Sequence, residues 1–269
     1  MDRLAGRVIL VAGSTGIAAA GARRFAAEGA RVFVISRTPA HCTALARELV
    51  AAGAEAASFA ADLADEEQVE TAVAAAVERV GRIDGLFAVA GGSGRRFGDG
   101  PAHTLTREAW DATLALNATT QALVAAAALR RMLAQEPGAD GLRGALVLVG
   151  SVLVSSPVPA LFATHAYAAA KGAIVALGTA MAAYYAPLGI RVNVVAPALV
   201  ATPMAARAAE DPATVAYAAR KQPLIGGFLA PEDVAAAAAY LLSAEARAVT
   251  GQVLAVDGGW STAAVEPGA

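Results

Sequence analysis

Tyr167 and Lys171, in the stretch HAYAAAKGAIVAL, stand four residues apart, a spacing that places both side chains on one face of a helix. A phenol titrates at about 10 when unperturbed, so it is a poor proton donor and acceptor near neutrality unless a nearby positive charge favours its ionised form. Lys171 can supply that charge. Lysine is scarce in this chain: Lys171 and Lys221 are its only two, and the remaining basic side chains are arginines. An ammonium is a compact charge with rotatable donors, able to serve a hydroxyl pair and a phenol together, which the rigid guanidinium fork does less well. A Tyr and a Lys at this spacing can also be chance neighbours, so the context of the pair decides.

At the other end of the chain, RVILVAGSTGIAAAGARRF reads as an apolar strand, a glycine turn and a helix. The turn is spaced G-x-x-G-x-A, with Gly13, Gly16 and Ala18 at its three small positions. In a dinucleotide loop the first glycine permits the tight turn and the second lets backbone approach a pyrophosphate. The third allows close helix–strand packing, where alanine is sometimes accepted. Ser14 and Thr15 carry hydroxyls that can bond phosphate. Ile17 opens a helix whose free N–H groups point at the loop.

After the next strand stand Ser36, Arg37 and Thr38. An acidic residue there takes the ribose 2′-hydroxyl of NAD, whereas an arginine accommodates the 2′-phosphate of NADP. With no carboxylate to repel phosphate, the chemistry favours NADP(H), with NAD(H) possible. The plain alternative is a solvated surface arginine.

Elements must hold these groups. Strand patterns fall at 7–12, 31–35, 56–60, 85–90, 145–149, 191–195 and 252–256, with alanine-rich helical stretches between them. Such alternation predicts a doubly wound parallel α/β sheet with helices on both faces. Ligands of these sheets bind at the carboxyl ends of the strands, which is where the residues above fall. A length of 269 residues, 57% of them hydrophobic, predicts one domain with a large core.

The formal net charge of -2 offers no basic face, which argues against nucleic acid and for a small-molecule partner. Cys42 is the only cysteine, so there is no internal disulfide, and His41, His103 and His165 are too scattered to form a metal site. No secretory signal is visible, and the cysteine usage fits a reducing, cytoplasmic compartment. The uncharged stretches 144–170 and 172–190 are interrupted by prolines, serines and a histidine and divided by Lys171; they read as buried protein, not bilayer spans. Helical segments 107–133 and 165–185 are apolar nearly all round, more than one sheet face can cover, and predict oligomerisation.

RVILVA, the glycine turn, AADL, LALN, LVLVGS, YAAAK, IRVNVVAPALVATPM and VTGQVLAVDGGWS occur in the order seen in classical short-chain dehydrogenases/reductases. The chain resembles that family from Arg7 to Ser261. The resemblance implies a Rossmann-type fold with seven parallel strands, a homotetramer or homodimer through the two apolar helices, and a substrate lid at about 203–228.

Carried over residue by residue, the resemblance makes Tyr167 the general acid/base. Lys171 then lowers its pKa and holds the nicotinamide ribose, Ser151 bonds the substrate oxygen, and Asn117 supports a proton relay. The implied reaction is ketone–alcohol interconversion by hydride transfer. Ser151 lies further ahead of Tyr167 than is common in the family, so Ser155 and Ser156 are alternatives; Ser151 is favoured because it directly follows an apolar strand. Asp62 and Leu63 are implied at the adenine, with a helix cap before EEQV as the other reading of Asp62.

Two motifs depart from the family pattern besides the glycine turn, which is one residue short. N-N-A-G appears as AVAG, leaving Ala90 and Gly91, and P-G appears as Pro197–Ala198, with Val200 and Thr202 in place to meet the nicotinamide carboxamide and phosphate. Arg95 and Arg96 can attract an anionic substrate or simply be solvated, and His103 and His165 border the substrate or lie on the surface. Two other functions compete: a non-catalytic nucleotide-binding protein on the same fold, and a dehalogenase-type lyase. The lyase branch carries arginine four after the tyrosine, against which Lys171 speaks.

Overall fold

The computed structural model describes residues 2–263. Short β-branched runs form the strands β1 (Val8–Ala12), β2 (Arg31–Ser36), β3 (Ala56–Ala60) and β4 (Gly85–Ala88), then β5 (Gly144–Val149), β6 (Ile190–Pro197) and β7 (Val253–Val256). All pair in parallel in the order β3-β2-β1-β4-β5-β6-β7. The central strands β1, β4, β5 and β6 are buried along their whole length, as expected where helices cover both faces. Strand order reverses between β1 and β4, the crevice at which such sheets take ligands.

Helices α1 (Ile17–Ala27), α2 (Pro39–Ala51) and α9 (Pro231–Leu242) cover one face. The other is covered by α3 (Glu66–Val80), α5 (Thr120–Ala134) and α6 (His165–Tyr185), with α4 (Arg107–Leu114) leading into α5. Gly21 of α1 is the residue that lets this helix approach the sheet, because a Cβ there would lie 2.6 Å from the Phe87 ring. Phe87 in turn meets Phe25 edge to face at 5.4 Å between centroids.

Most strands shift at an end by one or two residues from the sequence pattern, and two differences bear on the site. The fourth strand ends at Ala88, not at 90, because the amides of Val89 and Ala90 both turn to the Ala12 carbonyl. The predicted helix 107–133 is broken by a π turn at Ala115–Thr119, between α4 and α5, with Asn117 at its centre. By length and composition alone, Arg107–Ala134 and His165–Leu188 could cross a membrane, but both lie along the sheet with half and a third of their most apolar windows buried. After β6, the chain makes an excursion through α7 (Ala206–Glu210) and α8 (Pro212–Lys221), closed at its base by a bridge between Val200 and Leu229.

Candidate active site

A cavity of about 350 Å³ crosses the carboxyl ends of the strands, and every predicted catalytic and cofactor residue lines it. At its centre is the glycine turn. Gly13 (φ 129°) and Gly16 (φ 53°) both sit in left-handed backbone, and a Cβ on either would meet Ala18 at 2.8 Å or the Thr202 methyl at 3.0 Å. The turn feeds α1, whose first turn has no capping side chain and no carboxylate to compete with an anion, the Ala18 amide bonding the Thr15 carbonyl. Thr15 is exposed on the groove. Ser14 also lines the groove, and its hydroxyl donates to Ser36 Oγ at 3.0 Å, tying the turn to the end of β2.

Arg37 and Thr38 follow β2 at the outer end of the groove, and His41, one turn into α2, joins them on the same wall. Sequence reasoning considered His41 only as a metal ligand; its place shortly after a strand end was the available signal. Asp62 and Leu63 border the groove after β3. Asp62 does not cap the following helix: Asp65 does, accepting from the Gln68 amide at 3.1 Å, while Asp62 accepts from the Ala64 amide.

The inner end is built on α6 and β5. Lys171 is 3% exposed, lies 5.7 Å from the centroid of the Tyr167 ring and donates to the Val149 carbonyl at 2.9 Å. Ser151 follows β5, lines the cavity beside Tyr167 and accepts from the Leu153 amide. Ser155 and Ser156 do not line it. Burial pushes the Tyr167 phenol up to about 12 and the Lys171 ammonium down to about 8. The group opposing the shift on Tyr167 is Ser151, by hydrogen bonding, rather than Lys171 as expected from their spacing.

Asn117 spends its side chain on the neighbouring loop. It accepts from the Gly92 amide and donates to the Gly92 carbonyl, both at 3.0 Å, and a Cβ at Gly91 would come within 2.7 Å of its oxygen. The loop that carries Ala90 and Gly91 is thereby held without the asparagines absent from AVAG. Gln121, fully buried one turn later, brackets Val149 through both its N–H and its carbonyl and so fixes the strand end ahead of Ser151. Asp99, 5% exposed, accepts from the amides of Ala166 and Tyr167, each at 2.9 Å, and caps α6 from a distant loop. Neither residue was singled out from sequence. For Gln121, a lone amide on an apolar helix was a signal; for Asp99 there was none.

Pro197, Val200 and Thr202 also line the groove, Thr202 against Gly16, and a second cavity of about 140 Å³ opens beside Ser151 and Tyr167. Arg95 lines that cavity; Arg96 instead stacks on Phe97 at 4.5 Å. His103 and His165 line neither cavity, and His165 Nδ1 lies 2.9 Å from the Gly100 carbonyl. The long groove, the two obligatory glycines at the open start of α1 and the buried lysine at the far end together fit a nicotinamide dinucleotide.

Comparison with known proteins agrees with this geometry. A sequence model described as Enoyl-(Acyl carrier protein) reductase matches residues 11–261. The chain is similar to Inactive 2-(S)-hydroxypropyl-CoM dehydrogenase 2 of Xanthobacter autotrophicus, 42% identical over 211 residues, covering 77% of this chain and 86% of the relative. It is also similar to D-threitol dehydrogenase of Mycolicibacterium smegmatis, 35% identical, covering 96% and 94%. Among solved structures, an actinorhodin polyketide ketoreductase variant with NADPH superposes with a TM-score of 0.84 at 32% identity, covering 95% of this chain and 97% of that one. A short-chain type dehydrogenase/reductase from Mycobacterium ulcerans superposes at 0.87 with 30% identity, covering 96% and 91%. The chain belongs to the classical short-chain dehydrogenase/reductase family of oxidoreductases.

Proposed function

We propose that this protein is an NADP(H)-dependent oxidoreductase that interconverts a ketone and a secondary alcohol, with Tyr167 as general acid/base. The observation that carries the reading is the convergence of Ser151, Tyr167 and Lys171 at one end of a groove whose other end offers Arg37, flanked after β2 by Ser36 and Thr38 and not by a carboxylate. Bound in the groove, the nicotinamide supplies or receives the hydride. Ser151 orients the carbonyl oxygen toward the Tyr167 hydroxyl, and Tyr167 gives that oxygen its proton. With its pKa near 12 the phenol is fully protonated at neutral pH, ready for the reducing direction. Lys171, with a pKa of about 8, is mostly charged there and is placed to hold the ribose hydroxyls and to stabilise the phenolate left after proton transfer.

NADP(H) is favoured because Arg37 can form charge-assisted bonds to a 2′-phosphate, with His41 beside it. The relatives named for alcohol dehydrogenation, and the ketoreductase solved with NADPH, support the same chemistry. We extend the reading to a soluble, cytoplasmic, one-domain protein with a lid at about 203–228 that acts on a small molecule, as a homotetramer or homodimer and not on nucleic acid or membrane. A non-catalytic nucleotide-binding role is the second reading, favoured by a relative named as inactive and by the shortened glycine turn. The retained Ser151, Tyr167 and Lys171 weigh against it.

Titration with NADPH and NADH, followed by cofactor fluorescence, tests the proposal on wild type, Arg37→Ala and Tyr167→Phe. Wild type should prefer NADPH and lose the preference in Arg37→Ala, while Tyr167→Phe should bind but not reduce a carbonyl. Failure to bind either cofactor refutes the redox reading, and turnover by Tyr167→Phe refutes the role given to the phenol.

A further inference from the structure

The second cavity is apolar over most of its wall, through Val152, Leu153, Phe162, Leu199 and Trp260, yet two guanidinium groups also line it. Arg95 comes from the loop after β4 and Arg207 from α7, so two separate segments bring like charges to one small space. They are close enough for Arg207 to help hold the Arg95 pKa below its ordinary value, after burial and against the pull of Asp99. Among the described residues, neither arginine has a carboxylate within ion-pair distance.

The nearest acids are otherwise committed. Asp99 gives both oxygens to the start of α6, and Asp211 gives its own to the amides of Ala213 and Thr214 and the Thr214 hydroxyl at the start of α8. Arg95 spends one Nη2 bond on the Leu161 carbonyl, at 2.7 Å, and keeps the rest of its donor fork. Both arginines are exposed where they reach the cavity, so water screens their repulsion, and an anion entering between them can bond to both.

We infer that the substrate carries an anionic head group, a carboxylate or sulfonate, bound jointly by Arg95 and Arg207, with its ketone or alcohol carbon presented to Ser151 and Tyr167. This rests on the ketone–alcohol reading above. The apolar wall then takes the short carbon stem between the two ends. The reaction itself is unchanged: hydride passes between the nicotinamide and the carbonyl carbon, and the oxygen takes or gives its proton at Tyr167. The arginines select the substrate and hold its orientation.

The test is calorimetric titration of the protein, with NADP+ at saturating concentration, against pyruvate, acetoacetate, levulinate and the methyl ester of each. At least one keto acid should bind about tenfold or more tightly than its ester. Arg207→Ala should weaken that preference, and the Arg95→Ala, Arg207→Ala double variant should erase it. Arg207 is exposed and, among the described residues, forms no ion pair, so its removal should leave the fold intact. Equal affinity for acid and ester, no binding of any keto acid, or a preference that survives the double variant overturns the inference. Turnover with NADPH separates the two readings. Keto acids that bind but are not reduced refute the oxidoreductase and leave the anion pair; acids and esters reduced alike refute the anion pair and leave the oxidoreductase.

Discussion

Tyr167 and Lys171 are displaced in opposite directions by one cause, since burial favours the neutral form of both a phenol and an amine. For Lys171 the unfolded chain keeps its proton up to the ordinary lysine value of 10.5, while the folded chain gives it up at about 8. Below that pH the buried charge therefore costs stability, about 3 kcal/mol by linkage, and the cost is relieved as pH rises from about 8 toward 10.5. Above about 10 the raised phenol acts the other way, because the unfolded tyrosine ionises first. Urea denaturation should show wild type gaining stability between about pH 8 and 10, with Lys171→Met more stable at neutral pH, lacking that gain and inactive. With Lys221 the only other lysine, few amines obscure the window.

The residues legible in advance were those with a local signature: the Tyr–Lys spacing, a serine directly after a strand, and arginine after the second strand. Asp99 was not legible, because a carboxylate that bonds amides 67 and 68 positions away leaves no pattern in its own neighbourhood. The burial that dominates Tyr167 was equally invisible, since it is a property of everything packed around α6.

Among elements, α6 matters most because it carries both Tyr167 and Lys171, the side chains to which we give the proton transfer. Among its first amides those of Ala166 and Tyr167 are held by Asp99 and that of His165 by the Gly100 carbonyl, the residue just before the helix making no side-chain cap. Replacing a capping side chain costs about 0.5–2 kcal/mol. Asp99→Asn keeps one accepting oxygen, and Asp99→Ala none. Steady-state kinetics should therefore show kcat falling in the order wild type, Asn, Ala, with the cofactor KM nearly unchanged; a parallel rise in cofactor KM would show general unfolding of the groove instead.

The neighbouring α4–α5 break has a similar logic. The segment 107–133 reads as one helix, apolar nearly all round, and the extra residue of the π turn is absorbed where Asn117 and Gln121 hold backbone outside the helix. Periodicity registers which face is apolar, not a single inserted residue, so the helix was legible and its interruption was not.

At the scale of the whole molecule, the sheet order and parallel pairing follow from the alternation of apolar runs and helices. What covers the outer surfaces does not. On α6, Ala169, Ala173, Ala176 and Ala180 are exposed along one stripe, Tyr184 beyond them is 70% exposed, and the edge strand β7 leaves Val253 and Leu254 partly bare. Small side chains let helices approach closely, so we expect the same stripe on a second copy to lie against this one. Sedimentation equilibrium should give a whole-number multiple of the chain mass, reduced by Ala176→Arg; a monomer in wild type at micromolar concentration would rule the interface out.

The excursion between β6 and α9 is stitched shut at its base. Val200 bridges Leu229, Leu229 donates to the Leu199 carbonyl, and the fully buried Gln222 bonds Leu199 through both its amide and its carbonyl. Loops whose ends are fixed close together tolerate changes of length and composition at little thermodynamic cost. The stretch carrying Arg207 is thus an exchangeable cassette: its sequence can drift, and the choice of substrate with it, while the sheet and the Tyr167–Lys171 pair stay as they are.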